Sequence, residues 1–327
     1  MGSRSDSIRW GMIGCGGVCE KKSGPAYQQV AGFELYGVSA RSPGKAAEFA
    51  SRHSIPHHYT CPQALIDDPN IDAVYIATPP DSHCDLALKV AKANKICCIE
   101  KPMALNFSQC QLIQDTFESQ NLPLFIAYYR RSLPGFVALK NVLEKGTIGT
   151  VRQVSWLYSR FPSDKDLRQI PNWRTDKSVA LGGYFDDLAS HGLNVMTFLL
   201  GPVRQAQGIC RNQQGLYSAH DAIVANLLFE SGVTGIGSWN FACDSYQDKM
   251  QILGSKGRIE FAIFGDQPAS ILTDQGSESL AMPTPDPIQG PFVQAMAEHL
   301  RGLSVHPSQA TSASHTNWVM DKILGVL

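Results

Sequence analysis

Five short apolar runs separated by stretches of helical spacing fill the first 128 residues, and they constrain the fold more than any other feature: 8-IRWGMI-13, 34-ELYGVSA-40, 72-DAVYIA-77, 96-ICCI-99 and 124-LFIAY-128. Between them lie helical patterns such as 43-PGKAAEFASRH-53, opened by Pro43, and 81-DSHCDLALKVAKAN-94, with Asp81 placed to cap it. Strands that alternate with helices of about 10 to 15 residues require crossover connections, hence a parallel sheet covered on both faces. This predicts a doubly wound domain of the Rossmann kind over residues 1–125.

The texture changes after about residue 150. Longer alternating runs appear in 150-TVRQVSWLYSRF-161, 220-HDAIVANLLFE-230, 232-GVTGIGSWNFA-242 and 249-KMQILGSKGRIEFAI-263, with hairpin signals at 230-ESGV-233 and 254-GSKG-257. They predict an open, largely antiparallel sheet in an α+β domain over 126–327, interrupted by one long helix near 183–200. The stretch 276–291 reads as a loop from its Gly, Ser and Pro content, and 311–327 as helix. A chain of 327 residues, 43% hydrophobic, exceeds the usual size of a single core, so two domains are expected on that ground too.

Composition narrows the partners. The 28 basic residues nearly balance the 29 acidic ones, which excludes a general electrostatic role on nucleic acid or anionic membrane and leaves a small molecule. Nine scattered cysteines, an odd number with no C-x-x-C pair, fit a reducing compartment. Cys97 and Cys98, in an apolar run, read as small buried hydrophobes. No apolar run reaches about 18 residues and MGSRSDSIRW carries no signal-peptide core, so a soluble, cytoplasmic protein is expected. The segment MGSRSD is set aside from the fold reading.

Three constellations carry chemistry. The first is 13-IGCGGV-18, directly after a strand: Gly14, Gly16, Gly17 and Val18 form the turn on which a pyrophosphate sits at a helix N-terminus. At the end of the next strand, 38-VSARSPGK-45 offers no acid for a ribose hydroxyl but does offer Arg41, a cation that forks onto a 2′-phosphate, so NADP is expected over NAD. The second is 95-KICCIEKPMAL-105. Ligands bind outside the carboxyl ends of the strands, so Glu100 and Lys101 stand where cofactor and substrate meet, and Pro102 keeps Lys101 out of a helix. The turn 78-TPPDSH-83 ends the neighbouring strand in the same way, assigning Thr78, Pro79 and His83 to the cofactor wall.

The third constellation is 182-GGYFDDLASHGLNVMTFLLG-201. Asp187, His191, Asn194 and Phe198 fall at i, i+4, i+7 and i+11, which places three polar groups on one stripe of a mostly apolar helix. Buried polar groups need partners, and substrate hydroxyls supply them. Asp186, about 100° away, reads as a helix N-terminal charge. A zinc site is not expected: the Asp187 and His191 pair has no third ligand at helical or hairpin spacing, and His57 and His58 fall in a loop beside the short third strand.

With these residues in hand, the chain resembles the glucose-fructose oxidoreductase, inositol dehydrogenase and rhizopine-catabolism (Gfo/Idh/MocA) family over essentially its whole length. The resemblance is carried by 13-IGCGG-17, 78-TPPDSH-83, the E-K-P of 100–102, 127-AYYRR-131 and 172-NWRTDKSVALGGYFDDLASH-191. It implies a catalytic trio of Lys101, Asp187 and His191, a two-domain architecture, and a homo-oligomer, dimer or tetramer, formed through the outer face of the open sheet. Two positions depart from the pattern: Leu181 replaces the first of three glycines, and Cys19 stands at the fingerprint's last small residue. The segment 38-VSARS-42 looks most like the NADP-preferring members, including dihydrodiol and xylose dehydrogenases and anhydrofructose reductase.

The expected reaction is reversible hydride transfer between a nicotinamide and a carbinol carbon of a sugar, polyol or related cyclic substrate. His191 exchanges the hydroxyl proton, Lys101 hydrogen-bonds the reacting oxygen, Asp187 orients the substrate, and Tyr128, Arg130, Trp173 and Arg174 wall the pocket. Two rivals remain at this point: a dinucleotide-binding regulator without catalysis, and a hydrolase or epimerase that oxidises its substrate only transiently.

Overall fold

A computed structural model describes residues 7–327, so MGSRSD lies outside the described residues. The chain forms two compact units. The first comprises residues up to Ala104 with Ser108–Ser132 and Pro285–Ser314; the second comprises Leu105–Phe107, Leu133–Thr284 and His315–Leu327. The division therefore differs from a single crossing at 125/126, because about thirty residues near the C-terminus return to the first unit.

The first unit is built on six parallel strands: β1 (Ile8–Ile13), β2 (Phe33–Ser39), β3 (His57–Tyr59), β4 (Ala73–Ile76), β5 (Ile96–Ile99) and β6 (Leu124–Ile126). Their order is β3-β2-β1-β4-β5-β6, so the chain reverses its direction of travel between β1 and β4. A crevice opens at such a switch point, outside the carboxyl ends of the strands. His57 and His58, expected in a loop, form edge strand β3 itself, pairing with Gly37 and Val38, while the His57 ring packs 4.3 Å from that of Tyr36. Asp81 makes no cap. Ser82 occupies the N-cap of helix His83–Lys92, and its hydroxyl donates to Thr78 Oγ1 and to the Pro79 carbonyl. Ile13, Val74, Ile76, Cys97, Ile99 and Ile126 pack with the helices into one core. Burial pushes the Cys97 and Cys98 thiols well up, which makes both inert.

The second unit holds eight strands: β7 (Val151–Ser159), β8 (Val203–Arg211), β9 (Ala222–Phe229), β10 (Thr234–Asn240), β11 (Gln247–Gly254), β12 (Gly257–Phe261), β13 (Ala269–Thr273) and β14 (Gly276–Leu280). Their order is β14-β13-β12-β11-β7-β10-β9-β8, and every pairing is antiparallel except β7 with β10. Three strands have no counterpart in the sequence reading. In the last, GSESL, expected as loop, four of five side chains are exposed, so no apolar alternation marks it and pairing with β13 alone fixes it.

The long helix near 183–200 is present, but its first part, Phe185–Ala189, is a π-helical turn that passes into α-helix Ser190–Leu200. It lies on the sheet where Gly192 meets Trp156: a Cβ there would overlap the indole, so only glycine allows the approach. Trp156 is fully buried, donates from Nε1 to Asp248 Oδ1 at 2.8 Å, and packs edge-on to Trp239, which meets Phe185 in the same manner. No helix among the described residues is long and apolar enough to cross a membrane.

Candidate active site

In the first unit, every residue singled out by sequence follows the carboxyl end of a strand. Gly14, Gly16, Gly17 and Val18 follow β1, Arg41 follows β2, and Thr78, Pro79 and His83 follow β4. Glu100 and Lys101 follow β5, and Tyr128 and Arg130 follow β6. Because the strands are parallel, all these groups come to one edge of the sheet.

The glycine turn is shaped for close approach. Gly14 has φ of +114°, its N–H donates to the Ser39 carbonyl at 2.7 Å, and a Cβ there would meet the Ala77 carbonyl oxygen at 2.6 Å. Nothing lies within 4 Å of a Cβ at Gly16 or Gly17, so that side of the turn is open. The helical stretch begins at Gly17, and its first backbone bond runs from Glu20 N–H to the Gly16 carbonyl, leaving the N–H groups before it outside the intrahelical ladder. Beside the turn the Ser39 hydroxyl is buried with no hydrogen-bond partner among the described residues. Arg41 is exposed at the tip beyond β2.

His83 is a fixed strut. Its Nε2 lies 2.8 Å from the Thr78 carbonyl and its Nδ1 3.0 Å from the Pro102 carbonyl, tying the turn after β4 to the turn after β5. Burial lowers its pKa, so the ring is neutral at pH 7. Glu100 is likewise committed. Its Oε1 accepts from Tyr75 Oη at 2.6 Å and Gln289 Nε2 at 2.8 Å, and its Oε2 accepts the Lys101 backbone N–H at 3.2 Å. The carboxylate thus works as a bracket for the backbone that presents Lys101, and the Lys101–Pro102 peptide is cis. Sequence reasoning missed Tyr75, Gln289 and Ser39. Gln289 arrives from 189 residues away, and no local pattern marks it.

Tyr128 and Arg130 are both buried, and the Arg130 guanidinium lies 4.9 Å from the centre of the Tyr129 ring. The adjacent Arg131 donates to the Pro307 carbonyl at 3.2 Å, and burial lowers its pKa to about 10.

In the second unit, Arg174 Nε donates to Asp187 Oδ2 at 2.5 Å, and the same guanidinium stacks 4.3 Å above the Trp173 ring. Trp173 and Arg174 lie in a single 3-10 turn, Trp173–Thr175, capped by the Asn172 side chain. His191 is buried one turn beyond Asp187, its ring 5.9 Å from that of Phe264. The stripe does not act as one polar surface. Asn194 Nδ2 donates to Thr316 Oγ1 at 2.9 Å inside the core, and Phe198 sits under the Lys140 ammonium. A hydroxyl on the C-terminal helix Ala310–Leu324 thus supplies the partner expected from substrate.

Asp186 also departs from expectation. It is no exposed helix-terminal charge but a buried carboxyl that accepts the Gly182 N–H at 3.1 Å, its other oxygen having no protein partner. The π-helical turn alters the rotation per residue and swings Asp186 inward. Burial, reinforced by the charges of Asp321 and Asp187, raises its pKa to about 7.

Two family models match this frame. The one described as "Oxidoreductase family, NAD-binding Rossmann fold" covers residues 8–128, and "GFO/IDH/MocA C-terminal domain" covers residues 136–260. The chain belongs to the Gfo/Idh/MocA family. This Gfo/Idh/MocA protein is 31% identical over 320 residues to Oxidoreductase P35 of Formosa agariphila, covering 97% of the chain and 98% of that relative. It is 30% identical over 247 residues to the myo-inositol 2-dehydrogenase of Thermotoga maritima, covering 74% and 71%. In fold it superposes on levoglucosan dehydrogenase in complex with NADH with a TM-score of 0.86, at 23% identity, over 98% of this chain and 96% of that one.

The Gfo/Idh/MocA chain is therefore an NAD(P)-dependent oxidoreductase, and its own residues fit a dinucleotide: the open side of the glycine turn, the helix N–H groups and the unpartnered Ser39 hydroxyl lie together. Among the described residues there is no group of three or more His, Cys, Asp or Glu able to hold a metal ion.

Proposed function

We propose that the protein interconverts a carbinol and a carbonyl on a sugar, polyol or related cyclic substrate, with NADP(H) as partner and with Lys101, Asp187 and His191 as its catalytic residues. In this reading the first unit binds the dinucleotide and the second the substrate. The observation that carries it is the bracket around Glu100, which spends a buried carboxylate on fixing the backbone of one lysine at the carboxyl end of β5. Relatives such as myo-inositol 2-dehydrogenase support the substrate class.

The nicotinamide, when bound, accepts or returns the hydride. His191 takes the hydroxyl proton as the carbonyl forms and returns it in the reverse direction. The Lys101 ammonium donates to the reacting oxygen and stabilises its developing negative charge, a contribution of about 3 kcal/mol for a well-placed donor. Asp187, held by Arg174, accepts from a substrate hydroxyl beside the reacting carbon, and Arg174 and Trp173 wall the second unit's side of the substrate. Gly14, Gly16, Gly17, Val18, Thr78 and Pro79 enclose the dinucleotide, and His83 holds the Thr78 turn from behind.

Preference for NADP rests on Arg41, exposed at the tip of β2 with no acid beside it to claim a ribose hydroxyl. Losing a charge-assisted bond to the 2′-phosphate is expected to raise the Kd for NADPH by roughly ten- to a hundredfold in Arg41→Ala. NADH binding, followed in the same fluorescence titration, stays within about twofold. Equal losses for both nucleotides would remove Arg41 from the phosphate.

The protein is further proposed to assemble with copies of itself through the open sheet. Ile209 pairs with Val224, Val224 with Ser238 and Ser238 with Leu157, so three exposed apolar side chains lie in one row across four strands, with Ile236 beside them. Exposed apolar side chains clustered on one sheet face, here interrupted only by Ser238, suit a surface that is covered in solution. In sedimentation velocity the wild-type chain should run as a dimer or tetramer and the double variant Ile209→Lys, Val224→Lys as a monomer. A wild-type monomer would end the proposal.

A further inference from the structure

Within the second unit a cavity of about 400 Å³ opens between residues 169–176 and 216–218. Its walls are pinned by the protein. The Lys177 N–H donates to Ser218 Oγ at 3.0 Å, and Ser218 Oγ donates to the Thr175 carbonyl at 3.2 Å, stitching one wall to the other. The Asn172 side chain caps the turn that carries Trp173, accepting the Arg174 N–H at 3.0 Å. Below, Asp166 accepts from Tyr184 Oη at 2.7 Å and from the Ser163 N–H at 2.8 Å. A cavity held open in this way is ready for a ligand without reordering.

Its chemistry narrows the ligand. The faces of Trp173, Ile170 and Tyr217 provide apolar wall, and Gln169 and Asn172 add neutral hydrogen-bonding groups. None of the eleven lining residues is a lysine or arginine, whereas Asp166 and Asp176 are acidic, which disfavours a phosphate, sulfate or carboxylate. Aromatic and aliphatic faces alternating with neutral polar groups suit the C–H and hydroxyl surfaces of a pyranose. The volume stands near the small end of the roughly 300–1,000 Å³ typical of ligand pockets, enough for one ring.

The cavity adjoins residues assigned to the reacting ring. Trp173 and Thr175 line it, and Arg174, between them, stacks on Trp173 and holds Asp187. Resting on the carbinol-oxidation reading above, we infer that the cavity is a second sugar subsite, receiving a neutral ring glycosidically joined to the one that reacts. The preferred substrate is then a disaccharide or longer glycoside.

The test is turnover of glucose, galactose and xylose against cellobiose, lactose and xylobiose, with glucose 1-phosphate as an anionic comparison and both nucleotides supplied. At least one disaccharide should show kcat/KM roughly tenfold or more above its component monosaccharides. Leu216→Trp, which fills the cavity, or Ile170→Arg, should one of them fail to fold, should bring that ratio close to one. A ratio untouched by the variants, a preference for the single ring, or a preference for the phosphate ester overturns the inference while leaving the proposed reaction standing. Turnover of nothing in the panel removes sugars from the proposed substrate class and overturns the inference with them. Calorimetric titration of the full chain with the same three disaccharides then decides the cavity by itself: binding of any of them that is lost in Leu216→Trp sustains it, and binding of none to the wild type ends it.

Discussion

His191→Asn is expected to lower kcat by about 10² to 10⁴, the range lost when a positioned proton carrier is removed, while the Kd for the nicotinamide cofactor stays within about threefold. Lys101→Met should follow with a loss of about 10² to 10³ in kcat, as one donor to the developing charge disappears. The two residues are held by different supports. His191 is buried in helix Ser190–Leu200, and Lys101 follows β5 on a backbone held by Glu100. Stopped-flow measurement of the single-turnover hydride step against equilibrium cofactor binding separates the alternatives. If cofactor affinity fell in parallel with turnover, the variants would be reporting damage to the fold and neither residue would keep its assigned role. If turnover persisted in both, the trio would have to be abandoned.

Asp186→Asn should stabilise the protein, and increasingly so as pH rises. The Asp186 carboxyl ordinarily titrates near 3.8, but burial, with the charges of Asp321 and Asp187 adding to it, raises the folded-state value to about 7. A group whose folded pKa lies above its unfolded one holds its proton more tightly in the native state. Its contribution is therefore whole below about pH 4 and is lost as pH climbs through 7. At pH 8 the native protein carries a buried carboxylate that an amide would not, and the variant should gain roughly 2–4 kcal/mol. Asp321, raised to about 6 by burial, titrates in the same region and remains in both proteins. Urea denaturation at pH 5 and pH 8 reads the effect as a gap between wild type and variant that widens with pH. A gap of the same size at both pH values would place the Asp186 charge in water.

The sequence was most legible where structure is local. Residues 96–99 were bounded correctly because a strand buried on both faces reads as an uninterrupted apolar run, and the hairpins at 230–233 and 254–257 because turn chemistry is local. What escaped was set by distant partners. Gly276–Leu280 is a strand only because β13 lies beside it, and Asn194 is paired by a threonine 122 residues away. Asp186 was misread because an ideal helical wheel carries no π-helical turn. The candidate site followed the same rule. Its residue types and spacing were visible in E-K-P and in the stretch around 187–191, but the bracket of Tyr75 and Gln289 and the pairing of Arg174 with Asp187 required the folded chain.

The return of Pro285–Ser314 to the first unit bears on the order in which the protein can be completed during synthesis. Strand β6 would be a bare sheet edge, but Gln309 bridges to Phe125, Ser308 Oγ donates to the Ile126 carbonyl at 2.6 Å, and the rings of His299 and His306 close on Phe125. The same segment supplies Gln289 to the buried Glu100. A nascent chain that has emerged only as far as residue 132 therefore displays an unpaired edge and an internal carboxylate short of one of its three partners, and it keeps them until roughly 160 to 180 further residues have left the ribosome. The half of the molecule that is made first is finished nearly last, and through that interval its least protected strand depends on whatever the cell provides to shield it.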